Sequence, residues 1–234
     1  MMLNDTLMVV MGVRWFNITR YWIDKIDFID KLLVKYYPHD KAHEIAYGYF
    51  RDHGYKWLLI YAEDVIATPD HIKLLAEDIE KYNLEVVSGW CNWDFTVDWT
   101  NISNNVNLSN QIIYSPYQYM FIPLKSSEVL YFKDPIIRVF FVGLPLTFIH
   151  RDVLNRIGGL KPYRYVTDTI LGRIITRGIM HDLQFAIDCY KNNIPIYVDL
   201  RCGLLHFGDT RKFINISNKN PEVEFIPANN KNFN

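Results

Sequence analysis

The stretch Lys56-Trp57-Leu58-Leu59-Ile60-Tyr61-Ala62-Glu63-Asp64-Val65 constrains this chain more than any other. A short apolar run between polar segments predicts a buried strand. Buried strands do not finish on two carboxylates unless those groups meet solvent, a cation or a metal. In an open α/β sheet, ligands bind just beyond the carboxyl ends of the strands. Glu63 and Asp64 therefore stand where such a sheet keeps its chemistry, in a position to hold a divalent cation against a phosphorylated substrate.

The flanking pattern supports a sheet of that kind. Thr6–Val13 reads as a strand. Tyr21–Tyr37 shows helical spacing through Ile23, Ile26, Ile29 and Leu32–Leu33, with Pro38 as its stop. Asp40 can cap a second helix, Lys41–His53, which Gly54 ends. Thr68-Pro69 is a cap followed by a first-turn proline, opening a helix to about Tyr82. Glu85–Gly89 is the next strand. Strands alternating with helices predict an α/β fold, Rossmann-like, with a mostly parallel central sheet and helices on both faces.

Beyond Trp90 the character changes. Residues 90–135 are rich in Trp, Tyr, Asn and Ser, and read as an inserted aromatic hairpin region. Val139–Ile149 returns to a core strand, and Arg151–Ile157 is a short helix closed by Gly158-Gly159. Lys161–Met180 reads as a mobile segment. His181–Asn192 is a helix with Leu183, Ala186, Ile187 and Tyr190 inward, and Ile194–Leu200 and Gly203–Leu205 are strand-like. These boundaries predict one α/β domain over residues 1–215 and a flexible tail over 216–234.

With 234 residues, half of them hydrophobic, the chain can build a sizeable core. Its net charge of −1 argues against broad nucleic-acid binding. Cys91, Cys189 and Cys202 are scattered and lack CxxC spacing, so they read as reduced thiols of an intracellular protein. The apolar run Leu7–Val13 lacks a basic flank ahead of it, and no segment holds the roughly 18 apolar residues of a bilayer span. The expectation is a cytoplasmic protein.

Three polar sites each lie at the edge of an apolar element: Glu63-Asp64 after a strand, His181-Asp182 at the start of a helix, and His206 after Cys202–Leu205. Carboxylates suit Mg²⁺ and Mn²⁺, and an imidazole shifts the preference toward Mn²⁺. A cation held by Asp64 and His206 would leave room for two phosphate oxygens, and Asp182 could then take a proton from an attacking hydroxyl. The bland alternatives are a capping turn for Glu63-Asp64, a helix N-terminal carboxylate for Asp182, and a satisfied core histidine for His206. Trp90 and Trp93 are candidate walls for a sugar ring. Arg173 and Arg177 are candidates to close over a diphosphate, against the alternative of solvated loop charges. His39, His43, His53 and His71 are expected on surfaces.

The order of these pieces resembles the GT-A glycosyltransferases, above all the inverting family 2. The family's acidic metal motif is similar to Ile60-Tyr61-Ala62-Glu63-Asp64-Val65 with Pro69 following. Its "R-x-x-L-x-x-[IV]-G-G-[LF]" segment is similar to Arg151-Asp152-Val153-Leu154-Asn155-Arg156-Ile157-Gly158-Gly159-Leu160. Its base motif resembles His181-Asp182-Leu183-Gln184-Phe185, and its last histidine resembles His206. The resemblance covers residues 40–210 and implies a nucleoside diphosphate sugar as donor and a divalent cation, Mn²⁺ or Mg²⁺, as cofactor. It implies Asp64, His206 and Glu63 at the metal, and Asp182 as base. Glu63, Arg14 and Asn17 would lie at the nucleotide, and His181 with the two tryptophans at the sugar or acceptor. Compact members encoded by some viruses of archaea look similar.

The chain departs from the pattern at Ala62, where an acid is expected, and at His181, where the acid before the base belongs. Between the first strand and Asp64 only two helices are expected, so the strand that reads the nucleotide base is expected to be missing. One alternative is a nucleotide-sugar or carbohydrate-binding module without catalysis. Another is a nucleotidyltransferase, which would want a Gly-rich phosphate loop that is absent after the first strand. The acceptor, whether glycan, protein or lipid, is not legible; the aromatic segment suits an acceptor pocket or a peripheral membrane contact.

Overall fold

A computed structural model describes residues 2–12, 17–92, 102–103, 124–129, 131–161, 164–170, 173–179, 181–206 and 220–229. A 3₁₀ turn leads into β1 (Thr6–Gly12), followed by α1 (Asn17–Lys25), β2 (Asp30–Lys35), α2 (His39–Asp52) and β3 (Trp57–Ala62). Then come β4 (Val65–Ile66), α3 (Pro69–Tyr82), β5 (Val86–Cys91), β6 (Ile102–Ser103), α4 (Ser126–Val129), β7 (Ile136–Val139), β8 (Phe141–Val142) and β9 (Leu146–His150). The chain continues through α5 (Arg151–Ile157), β10 (Arg164–Ile170), β11 (Arg173–Ile179), α6 (His181–Lys191), β12 (Ile196–His206) and β13 (Glu222–Ile226).

The main sheet has the order β13-β2-β1-β3-β9-β5-β12-β4, with β7 also on β12. β1 runs parallel to β2 and β3, and β5 runs parallel to β12. β9 lies antiparallel between β3 and β5. Five strands (β2, β1, β3, β5 and β12) therefore point the same way, and their carboxyl ends share one edge. The fold is α/β and Rossmann-like.

Side chains alternate across the strands, and both faces are covered. Leu7, Val9 and Met11 of β1 face a core built with α2, α5 and α6. Met8 and Val10 face the second core, with Ile23 of α1 and Ile72, Leu75 and Ile79 of α3. Each such side chain, fully withdrawn from water, contributes on the order of 1.5–3 kcal/mol.

The expected helix Tyr21–Tyr37 is corrected to a short helix and a strand. α1 ends at Lys25, and the Lys31 ammonium closes its carboxyl end, donating to the carbonyls of Ile23 (3.2 Å) and Ile26 (2.6 Å). Burial pushes the Lys31 pKa down. Asp30–Lys35 then pairs with β1 on one side and β13 on the other. The spacing Ile23, Ile26, Ile29 and Leu32 suits a helix, but two ladders that only the folded chain supplies turn its second half into a strand. The strand expected to be missing ahead of Asp64 is present.

Three further expectations change. Val139–Ile149 is not one strand: it breaks at Leu144, whose φ is 51°, followed by Pro145, giving β7, β8 and β9. Lys161–Met180 is not a loose segment, because β10 and β11 pair as an antiparallel hairpin. Within the expected tail, Glu222–Ile226 adds antiparallel to the outer edge of β2, where Lys35 pairs with Glu224. The two strand pieces near residue 200 are one strand, β12, with a register shift between Val198 and Gly203.

Gly158 and Gly159 close α5 with φ of 75° and 89°, as a left-handed helix end requires. A side chain on Gly159 would also meet the Tyr47 ring at 2.4 Å. Arg151 serves the scaffold. Its guanidinium donates to the carbonyls of Tyr55 (2.5 Å) and Phe50 (2.7 Å), closing the carboxyl end of α2, and lies 4.4 Å from the Phe50 ring centroid. No helix among the described residues is long and apolar enough to cross a membrane.

Candidate active site at the carboxyl edge of the sheet

β3 ends at Ala62, and the chain turns through Glu63 and Asp64 into β4. Tyr61, fully buried, pins this turn. Its hydroxyl donates to the Ala67 carbonyl at 3.0 Å and accepts from the Ala67 N–H at 2.9 Å. Burial pushes its pKa up to about 12, so it stays a neutral phenol. Thr19 of α1 donates to the Glu63 carbonyl at 2.9 Å. Tyr61→Phe would strip Ala67 of both partners in a dry site. The expected result is a loss of about 1–3 kcal/mol in chemical denaturation, with unchanged m-value.

β4 has only two residues, and both pair with β12: Val65 opposite His206 and Ile66 opposite Leu205. Ala62 and Val65 can be at most about 11 Å apart. β3 and β12 are three sheet positions apart, about 14 Å. The turn through Glu63 and Asp64, together with the pairing of β4 on β12, spans that distance. That pairing brings His206 to the acidic turn: His206 Nε2 lies 3.4 Å from Asp64 Oδ2, with both side chains about one-fifth exposed.

Ahead of this pairing β12 carries the register shift between Val198 and Gly203. Asp199 and Asp78 of α3 are both buried, and the Arg201 guanidinium bridges them at 2.8 and 2.7 Å. Trp90 donates its indole N–H to the Leu200 carbonyl at 2.9 Å and packs over Gly203. Trp90, expected as a sugar wall, thus has its polar edge committed to holding β12.

Glu63 is buried, and its side chain lies along the end of β1. A Cβ on Gly12 would come within 2.5 Å of Glu63 Cγ. Gly12 is a site residue that the sequence reading missed; a glycine closing an otherwise apolar strand was the available signal. Burial holds the Cys91 thiol at the end of β5 above its ordinary range, and the Asp64 carboxylate adds to this. Tyr36, beyond β2, donates its N–H to the Gly12 carbonyl at 2.8 Å with φ of 62°. With Leu144, whose neighbour Pro145 accepts from the Ala62 N–H at 2.9 Å, two left-handed non-glycine residues flank this edge. Such conformations cost about 1 kcal/mol or more and gather at functional sites.

Asp182 lies in the first turn of α6 and is buried. α6 leads into the start of β12, so its N-terminus is carried back to the edge where β12 ends. A contact supports this: the His181 ring lies 4.1 Å from that of His43 on α2, the helix that follows the carboxyl end of β2. Asp182 Oδ1 accepts from the Leu183 N–H at 2.7 Å. Burial nonetheless wins over the backbone donors and pushes the Asp182 pKa up to about 6. A helix N-terminus alone would have lowered it. His43 was expected on a surface and is 1% exposed. His71 caps α3, its Nδ1 accepting from the Thr68 N–H at 3.0 Å.

Two donors bound to one small divalent cation at about 2.1 Å, subtending about 90–110°, stand about 3.0–3.4 Å apart. The Asp64–His206 separation fits that requirement, and a carboxylate with an imidazole suits Mn²⁺ or Mg²⁺. Among the described residues no group of three or more His, Cys, Asp or Glu gathers as a metal site. The Glu63 side chain packs against the end of β1. Asn17 opens α1, two residues before the Thr19 contact with the turn. Arg14 and Trp93 lie outside the described residues, as do the side chains of Arg173 and Arg177 on β11.

No protein-family model matches the sequence, and no curated protein matches it. Among solved structures, the chain is similar to the crystal structure of A197 from STIV. Identity is 16% and the TM-score 0.49, over 87% of this chain and 94% of that one. A likeness of that size decides neither fold nor function. The fold rests on the sheet order and the function on the site.

A cavity of about 540 Å³, lined by Arg138, Phe140, Tyr190 and Ile194 among others, lies by the start of β12. That is the opposite end of the strand from His206, so it is separate from this site.

Proposed function

We propose that this chain is a metal-dependent glycosyltransferase, moving a sugar from a nucleoside diphosphate donor to an acceptor hydroxyl with inversion. The observation that carries the reading is the Asp64–His206 pair, 3.4 Å apart at the carboxyl edge of an α/β sheet. The resemblance of the ordered motifs to GT-A enzymes supports it, and so does the buried Asp182 opening α6.

Asp64 and His206 would hold Mn²⁺ or Mg²⁺, which when bound would neutralise charge on the diphosphate leaving group. Glu63, lying along the end of β1, would touch the nucleotide. Asp182, ionised above about pH 6, would accept the proton of the acceptor hydroxyl. The acceptor oxygen forms its bond to the anomeric carbon as the bond from that carbon to the diphosphate oxygen breaks. The nucleoside diphosphate leaves with the electron pair, and the anomeric centre inverts.

A thermal-shift screen of nucleoside diphosphates with and without Mn²⁺ tests the reading. One nucleotide should stabilise the protein only when the metal is present, with a shift that follows its concentration. That shift should vanish in His206→Ala. Equal shifts without metal, or none for any nucleotide, would rule the site out. The second reading, a binding module without catalysis, is favoured by Ala62 and by the two-residue ligand set. It predicts the same shift with no metal-dependent release of nucleoside diphosphate from any donor.

A further inference from the structure

His43 is a buried titratable group that this mechanism leaves unused. It sits on α2 at 1% exposure, with its ring centroid 4.1 Å from that of His181 and the two rings tilted by 40°. His181 opens α6 and Asp182 follows it directly. We propose that His43 is a positioning residue: in ring contact with His181, it clamps the first turn of α6 against α2 and holds the Asp182 carboxyl in its buried place. This rests on the reading of Asp182 as the base.

The first turn of a helix is its weakest part on this side, because its N–H groups lack intrahelical acceptors. A base displaced by about 1 Å loses on the order of 10²-fold in rate. The contact that ties this turn to another helix is therefore the one that matters for proton transfer. Charged groups nearby have partners of their own. On α2, Lys41 pairs with Glu44 at 2.8 Å. On α6, Asp188 pairs with Lys161 at 2.6 Å and accepts from Gln184 at 2.8 Å. On α5, Arg156 pairs with Glu85 at 2.5 Å, and β8 contributes only Phe141 and Val142. Burial is the first cause acting on Asp182, so whatever keeps its turn seated controls how easily it ionises.

The test is a carbon-13 NMR titration of the Asp182 carboxyl beside transfer assays, in wild type, His43→Ala, His43→Phe, His181→Ala and the double alanine variant. His43→Ala should let water reach the carboxyl and lower its midpoint by about one pH unit. Turnover should fall by about 10–100-fold while the donor KM changes by less than about twofold. His43→Phe restores a flat ring and should recover most of both. The double variant should be no worse than the worse single one, since one contact is removed. An unmoved midpoint in His43→Ala, or effects of the two alanines that multiply, would overturn the clamp. If His43→Ala fails to fold, His181→Ala carries the same comparison. Should the wild type transfer no sugar, the base reading falls, and the NMR arm alone decides the clamp.

Discussion

Asp182→Asn is expected to abolish transfer and to stabilise the protein at the same time. General-base groups contribute about 10²–10⁴-fold, so turnover should fall by that factor with little change in metal-dependent nucleotide binding. In the wild type, kcat/KM should rise with pH through about 6, where the buried carboxyl ionises, and the variant should lack that limb. The stability effect runs the other way. The folded pKa of about 6 lies above the ordinary 3.8, so the folded state binds the extra proton between those values. The penalty of the buried charge is absent below about pH 4, grows as pH rises to 6, and is complete above it. A difference of about two pKa units corresponds to roughly 3 kcal/mol. Asn carries no charge, so the variant should match the wild type near pH 4 and exceed it by up to that amount at pH 8. Denaturant titrations at the two pH values measure this directly. An Asp182→Asn enzyme with near-normal turnover, or a product with retained configuration, would remove Asp182 from the mechanism.

The second large effect is expected at Arg201. Its guanidinium stands between Asp78 and Asp199, whose side chains are 4% and 0% exposed. Arg201→Met keeps an unbranched stem as far as the position of Nε and removes the guanidinium with its charge, leaving two acids together in a dry site. Removing one partner of such a pair costs about 3–5 kcal/mol, and Arg201 is itself half-exposed, so the lower end is expected. Asp78 already has its pKa pushed up to about 6, first by burial and then by the neighbouring Asp199. Without Arg201 both effects act unopposed. The loss should therefore be greatest above pH 7 and shrink as pH falls and Asp78 protonates. Because this cluster sits at the irregularity of β12 ahead of its pairing with β4, metal-dependent nucleotide binding should weaken with stability. A variant as stable as the wild type at pH 8 would show that the triad does not hold this part of β12.

These effects concern groups of unequal legibility. Glu63-Asp64 announced itself, since two acids ending an apolar run conflict with burial unless the run ends at a sheet edge. Thr68-Pro69 and Gly158-Gly159 were equally readable, because capping and left-handed helix ends are local chemistry. β2 was hidden: Asp30–Lys35 becomes a strand through ladders with β1 and β13, residues more than 180 positions further along in the second case. His43 was misread for a similar reason. Helical spacing says which face a residue is on, but the contact with His181 depends on where α6 returns. Nothing local marked Arg201 as the bridge between a helix and a strand, or Trp90 as a clamp on β12.

What the sequence determined by itself is the inventory: an alternating α/β chain, an acidic turn after β3, an Asp opening α6 and a His ending β12. Those follow from burial, capping and periodicity, which act over a few residues. The tertiary structure decided that Asp64 and His206 stand 3.4 Å apart, through a two-residue strand paired to the end of β12. It also decided that Asp182 is buried enough to titrate near 6. Distances across a sheet and the dryness of a site are set by long-range pairing and packing, and no local pattern encodes them.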